Sequence, residues 1–214
     1  NAAAVVTLTA ARGRGKSAGL GLALAGAVAL GQHSNMMVTA PAMDNCQAVF
    51  SFLLVGLKAL EYQEHLHYTI QYETDTNNNN NSGSRRSKCI AGILLHASAD
   101  AQDVPQQRRQ SIRYVPPDQV AMTNADLIAM DEAAAIPLPI VQGILKKNTL
   151  SNNNHSCLYI LSSTVNGYEG TGRALSLKLI AELRQRQRSS SNNNKSSAVI
   201  KGSATNKGEF KVHE

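Results

Sequence analysis

The stretch Ala2 to Thr9, AAAVVTLT, is an apolar run rich in β-formers. It enters a turn, Ala10-Ala11-Arg12-Gly13-Arg14-Gly15, that ends in Lys16-Ser17 and opens KSAGLGLALAGAVAL, a segment of small and apolar residues that reads as a helix. A strand, a glycine turn closing on Gly-Lys-Ser and a helix leave few folds open. Successive backbone N–H groups then converge on the mouth of the turn with a helix N-terminus behind them, and that arrangement holds phosphate. Gly13 and Gly15 permit the positive φ that such a concavity needs. On this reading Arg12, Gly13, Arg14, Gly15, Lys16, Ser17 and Ala18 line the phosphates of ATP, with Lys16 on the β/γ-phosphates and the Ser17 hydroxyl on Mg²⁺. Ala10 stands where the general pattern has its first glycine, so the plain alternative is a basic surface turn.

Further along, short apolar runs alternate with helical patterns. SNMMVTAP, Ser34 to Pro41, reads as a second strand ending at a proline. DNCQAVFSFLLVGLKAL follows as a helix with Asp44 as its expected N-cap. HLHYTIQY reads as an extended segment, and CIAGILLH, SIRYV, ADLIAMDEAAA and CLYILSSTV are further apolar runs. TGRALSLKLIAELRQRQR reads as a last helix with a basic end. Small residues let a helix lie close to a sheet. Continuous apolar strands alternating with helices predict an α/β fold, a mostly parallel sheet with helices on both faces. Asn-rich tracts at about 74–88 and 151–155 read as insertions at loop tips, where added length costs little. The domain is expected over 1–188, with 189–214 a polar connection.

The second motif is Asp131-Glu132, an acidic pair closing the apolar run ADLIAM. In P-loop ATPases an aspartate at that place holds Mg²⁺. An adjacent glutamate can orient and polarise the attacking water. The alternative is a helix N-terminus, where the dipole favours acids. The third motif is SSTVNGYEGTGR, Ser162 to Arg173, in which polar residues follow a strand and glycines open a helix. Ser163, Thr164 and Asn166 are candidates to bond a γ-phosphate or the attacking water, and Arg173 to reach phosphate. An ordinary glycine-rich turn is the alternative. GYEGTGRA also faintly resembles the pyrophosphate turn of acetyl-CoA-binding acetyltransferases, but without the Gln or Arg that usually leads it.

Composition narrows the field. The 214 residues suffice for one substantial core, 43% are hydrophobic and 17% charged, and the formal charge is +6. That balance is compatible with an anionic partner such as RNA or nucleotide. Arg108-Arg109 with Arg113, Lys146-Lys147, and Arg184, Arg186 and Arg188 are candidates for an RNA-facing surface, against the plainer reading of a solvated face. Three widely spaced cysteines, Cys46, Cys89 and Cys157, suggest neither a disulfide framework nor a metal cluster and fit a reducing compartment. His65 and His67 are expected on one side of a strand, as metal ligands can be, with no further cluster to support them. Leu20 to Leu30 is too short for a membrane span. The chain begins at Asn1 and reads as a piece of something longer.

Taken together, VTLTAARGRGKSA, VTAP, EHLHY, RQSIRYVPP, DLIAMDEAAAIPLPIV and STVNGYEGTGRALSLKLIAELR resemble, in order from about Val5 to Arg184, the helicase-like ATPase domain of the RNA cytidine acetyltransferases. DEAAAIPLP and NGYEGTGR carry the specificity. In that family Ala10 is the usual residue of the loop. The resemblance implies a RecA-like P-loop fold, ATP at Gly13 to Ala18 and at Arg173, and a parent that uses acetyl-CoA and ATP to make N4-acetylcytidine in rRNA or tRNA. It implies RNA as partner, a second RecA-like half and an acetyltransferase domain outside this chain, and possible homo-oligomers of the parent. It also implies the nucleolus for a eukaryotic source or the cytoplasm for a bacterial one. The rival readings are a nucleotide-regulated RNA-binding module with little hydrolysis, and a chain that itself transfers acetyl groups.

Overall fold

The computed structural model describes residues 4–74, 88–96, 109–150 and 157–164. Strand β1, Ala4–Ala10, leads through a turn at residues 11–15 into helix α1, Lys16–Leu30. Strand β2, Asn35–Thr39, is followed by a 3₁₀ turn over Met43–Cys46 and helix α2, Gln47–Ala59. Strands β3, Tyr68–Thr74, β4, Lys88–Leu95, and β5, Gln110–Tyr114, come next. A short helix α3, Pro117–Val120, precedes strand β6, Leu127–Met130, and helix α4, Leu138–Leu150, precedes strand β7, Leu158–Thr164.

The seven strands form one sheet in the order β1-β7-β6-β2-β5-β4-β3. The pairs β1–β7, β7–β6, β6–β2 and β2–β5 are parallel, and the β5–β4 and β4–β3 pairs are antiparallel. The mostly parallel sheet expected from the apolar runs is therefore present, with an antiparallel hairpin on one edge. Gly92 lies where the backbones run close: a Cβ there would stand 2.9 Å from the carbonyl oxygen of Ile112.

Each face carries its own core. Leu20, Leu24 and Val28 of α1 and Val49, Phe50, Leu53 and Leu57 of α2 pack on Met36, Val38, Leu127, Ala129 and Ile160. On the other face Val141, Ile144 and Leu145 of α4, with Val120 of α3, cover Met37, Ile128, Met130, Tyr159 and Leu161. The residues thus alternate between cores along β2, β6 and β7, as strand geometry requires. The Asp126 carboxylate accepts from the backbone N–H groups of Ser34 and Asn35 at 2.9 and 3.1 Å, which fixes the start of β6 against that of β2. Small residues also bring the two helices of this face together. Gly21 and Gly56 bring α1 against α2, helix on helix, with Gly21 under the Val49 carbonyl and Gly56 under Ala25.

Two local expectations are corrected. Asp44 caps no α-helix: it lies inside the 3₁₀ turn, and its carboxylate accepts from the Cys89 thiol at 3.2 Å. His65 and His67 do not share a strand face. They lie in the turn before β3, His65 at φ 67°, and the Nδ1 of His67 accepts the Gln63 N–H at 2.9 Å. Among the described residues no helix is long and apolar enough to cross a membrane. The expected last helix, the tracts at 75–87 and 151–155, and 189–214 lie outside the described residues.

Candidate nucleotide site

Ala10 is still the last residue of β1, paired with Thr164, so the chain has not begun to turn where the general pattern has a glycine. The turn begins two residues later. Gly13 and Gly15 both stand at φ 75°, while Arg12 before them and Arg14 between them keep negative φ. Alternation of this kind curls successive N–H groups into an anion-binding concavity. Neither glycine has any neighbour within 4 Å of an added Cβ, so φ, rather than space, demands glycine here. The helix begins at once, with Gly19 N–H donating to the Gly15 carbonyl at 2.8 Å. The first turn of α1 contains no acidic residue. Arg12 and Arg14 are exposed and pair with no acid among the described residues. The Lys16 ammonium lies folded back on its own loop, donating to the Ala11 carbonyl at 3.2 Å. Together with the positive end of the helix dipole, this concentrates donors without matching acceptors, the chemistry an anion such as a triphosphate requires.

Asp131 is the first residue past β6, and its side chain is 2% exposed. Its Oδ2 accepts the Ser17 hydroxyl at 2.6 Å. Its Oδ1 accepts the Glu132 N–H at 3.1 Å and the Ser162 hydroxyl. No Lys or Arg forms an ion pair with it among the described residues. A buried carboxylate served only by neutral donors is the counterpart of a cation, because buried charges are paired or bind metal. Carboxylate and hydroxyl oxygens are the hard donors Mg²⁺ prefers, and Mg²⁺ needs only one or two carboxylates when water and phosphate oxygens complete its shell. The described residues contain no cluster of three or more His, Cys, Asp or Glu that could cage a metal without such help. The charge of Asp131 is felt beneath the site. Burial, and after it this carboxylate, push the Cys46 thiol up to about 12.

Glu132 is exposed and left-handed, at φ 48° and ψ 46°, and its side chain makes no capping hydrogen bond to the 3₁₀ turn Ala133–Ala135. The acidic pair therefore stands at the N-terminus of a three-residue 3₁₀ turn, without a side-chain capping bond from Glu132. A non-glycine residue in that conformation costs roughly 1–2 kcal/mol, a strain that clusters at functional positions.

Strand β7 lies between the strands that carry the loop and the acidic pair. Its alternation sorts the polar residues of the third motif. Ile160 packs in the α1/α2 core and Tyr159 and Leu161 in the α4 core. Ser162 and Thr164 therefore share the face of Asp131, and Ser163 lies on the face of α4. Ser162, which sequence reasoning passed over in favour of Ser163, is the one bonded to the acid. Only the register, Met130 opposite Leu161, could have revealed it. Thr164, opposite Ala10, stands at the start of the phosphate loop. Asn166 and Arg173 lie outside the described residues, as does the GYEGTGRA turn. Of the candidate RNA-facing basic residues, Arg109, Arg113 and Lys146 are described and exposed.

A family model for the RNA cytidine acetyltransferase NAT10/TcmA helicase domain matches residues 7–204. The chain is 43% identical to the RNA cytidine acetyltransferase of Homo sapiens over 181 residues, 84% of this chain and 15% of that protein. It is 42% identical to that of Saccharomyces cerevisiae over 196 residues, 91% of this chain and 16% of that protein. The chain thus spans about 15% of the length of the curated relatives it matches. Among solved structures it is similar to the ATPase domain of the Thermus phage P74-26 large terminase, with a TM-score of 0.51 at 16% identity, covering 80% of this chain and 63% of that one. That likeness is one of fold, the RecA-like P-loop sheet. The chain belongs to the RNA cytidine acetyltransferase NAT10/TcmA family, within its helicase domain.

Proposed function

We propose that this domain binds ATP with Mg²⁺ and hydrolyses it, as the ATP-driven part of an enzyme that makes N4-acetylcytidine in rRNA or tRNA from acetyl-CoA. The observation that carries the reading is the bond between Ser17 and Asp131. It unites the loop and the acid in one site, as a shared metal would require.

The residues divide the work. The N–H groups from Gly13 to Ala18 receive phosphate oxygens, and Arg12 and Arg14 add charge at the rim. Lys16, bonded here to the Ala11 carbonyl, would exchange that bond for the β/γ-phosphates. Ser17 and Asp131 would hold the metal, which would supply charge neutralisation on the phosphate oxygens. Glu132, exposed beside that acid, accepts the proton of the attacking water. Asn166 and Arg173 complete the nucleotide contacts. A second RecA-like half and the acetyltransferase centre belong to the larger polypeptide, which takes RNA as its partner.

In helicase-like ATPases the nucleotide lies between two halves, and the second often supplies an arginine; in related GTPases such an arginine is worth roughly 10³–10⁵ in rate. The 214 residues alone should therefore bind ATP and ADP but turn ATP over very slowly, with little response to RNA. Steady-state ATPase on this chain and on a full-length parent, each with and without RNA, tests this. Absence of magnesium-dependent ATP binding to the chain would overturn the reading. Tight binding with no turnover even in the parent would favour a nucleotide-regulated RNA-binding module.

A further inference from the structure

The buried hydroxyl of Ser162 has a place in the geometry that none of the assigned roles uses. Ser162 is fully buried at the carboxyl end of β7. The β6–β7 register ends with Met130 opposite Leu161, so one step further Asp131 meets Ser162 on the same face. The Ser162 hydroxyl donates to Asp131 Oδ1, and the Glu132 N–H approaches its oxygen at 3.4 Å. One hydroxyl therefore touches both members of the acidic pair. The second oxygen of Asp131 belongs to Ser17.

We propose that Ser162 is a positioning residue for the metal. This inference rests on the reading of Asp131 as a magnesium-holding acid. A carboxylate rotates about its terminal bond through a broad, shallow well, so it does not point its oxygens by itself. Held at Oδ1 by Ser162 and the Glu132 N–H, the group presents Oδ2 to the side of Ser17. Without the hydroxyl, Oδ1 retains one backbone donor and the plane is free to swing. Ser162 also links two ends of the site. Two residues further along the strand, Thr164 stands opposite Ala10 at the start of the phosphate loop. A shift of the β7 end at the loop is thereby carried to the acid that holds the metal.

The test compares the full chain with Ser162→Ala and Ser162→Thr. A non-hydrolysable ATP analogue is bound by calorimetry, first in EDTA and then across a magnesium titration. Partners that orient a metal ligand typically contribute about 10–100-fold to metal affinity. Ser162→Ala should therefore raise the magnesium concentration for half-maximal tight binding by about that factor, while affinity in EDTA stays within about twofold. Ser162→Thr, which restores the hydroxyl, should recover the wild-type magnesium response. An Ala variant with wild-type magnesium dependence would overturn the proposal. So would an equal fall in affinity with and without magnesium, which marks a merely structural residue. If the Ala variant does not fold, Ser162→Cys, close in size but a weak donor, is held to the same two criteria. Should magnesium leave analogue affinity unchanged in the wild type, the metal reading of Asp131 fails first and separately.

Discussion

The Ser17 hydroxyl donates to Asp131 Oδ2 at 2.6 Å, joining positions 114 residues apart. The strands that lead into these residues, β1 and β6, are not neighbours, since β7 runs between them. The bond crosses that gap because α1 starts at the end of β1 and lies over the sheet, with Leu20 and Leu24 in the same core as Ala129 and Ile160. Loop and acid are therefore parts of one rigid layer, and the predictions for them differ by the atom each residue supplies.

Lys16 supplies charge without which the loop still forms, because among the described residues its side chain bonds only to Ala11 within the loop. Lys16→Ala should leave the melting temperature nearly unchanged and weaken ATP binding by roughly 1.5–3 kcal/mol, about ten- to a hundredfold. Calorimetry beside a thermal melt checks both halves.

Glu132 divides strain from chemistry. Glu132→Gln should keep Mg-ATP bound while turnover falls by about 10²–10⁴, the loss of a general base, and acetylcytidine formation by a full-length parent should fall with it. Glu132→Gly should be as inactive, yet more stable by up to about 1–2 kcal/mol, because glycine carries no penalty at φ 48°. ATPase assays and urea unfolding of the two variants check the pair.

The glycines of α1 should respond oppositely to the same added methyl. A Cβ on Gly21 would press on the Val49 carbonyl and stand 2.8 Å from the Leu53 nitrogen, so Gly21→Ala should destabilise by roughly 1–3 kcal/mol. Gly26 has nothing within 4 Å, and Gly26→Ala should stabilise by roughly 0.5–1 kcal/mol through helix propensity alone. Denaturant midpoints order the three proteins.

Cys46 gives the fold a pH dependence of known sign. Burial chiefly, and then the Asp131 charge, raise its thiol from 9.0 to about 12. The folded state thus keeps a proton the unfolded state has lost. The stability it represents is complete below about 9 and is lost as pH rises toward about 12, at about 1.4 kcal/mol per pH unit. Cys46→Ala should be less stable at neutral pH but show a shallower decline above about 9. Urea unfolding from about pH 8 to 10.5 measures the difference in slope.

What the sequence shows follows the range of the forces involved. The phosphate turn is legible because backbone conformation is local: Gly13 and Gly15 state their own φ, and a helix must follow. The place of Asp131 is legible because the apolar run before it marks where the strand ends. Asp44 misleads because a capping residue and a residue inside a 3₁₀ turn share the same composition. His65 and His67 mislead because the alternation in EHLHY begins ahead of the strand, which starts only at Tyr68. Ser162 is illegible because its partner is set by register between strands distant in sequence. One residue of slip would exchange it for Ser163. The strand order and the reversed β3–β4 edge depend on the same non-local pairing.

That reversed edge bears on what can be built into this domain. Thr74 and Lys88 are a register pair, so the two chain ends flanking residues 75–87 are already held together by the ladder. Lengthening a connection whose ends are fixed costs only about 0.6 kcal/mol per doubling. In the strand order, this hairpin is separated from the acidic pair's strand by β2 and β5. A fluorescent reporter or affinity handle spliced between those two residues would leave two intervening strands between the graft and the strand that ends in Asp131.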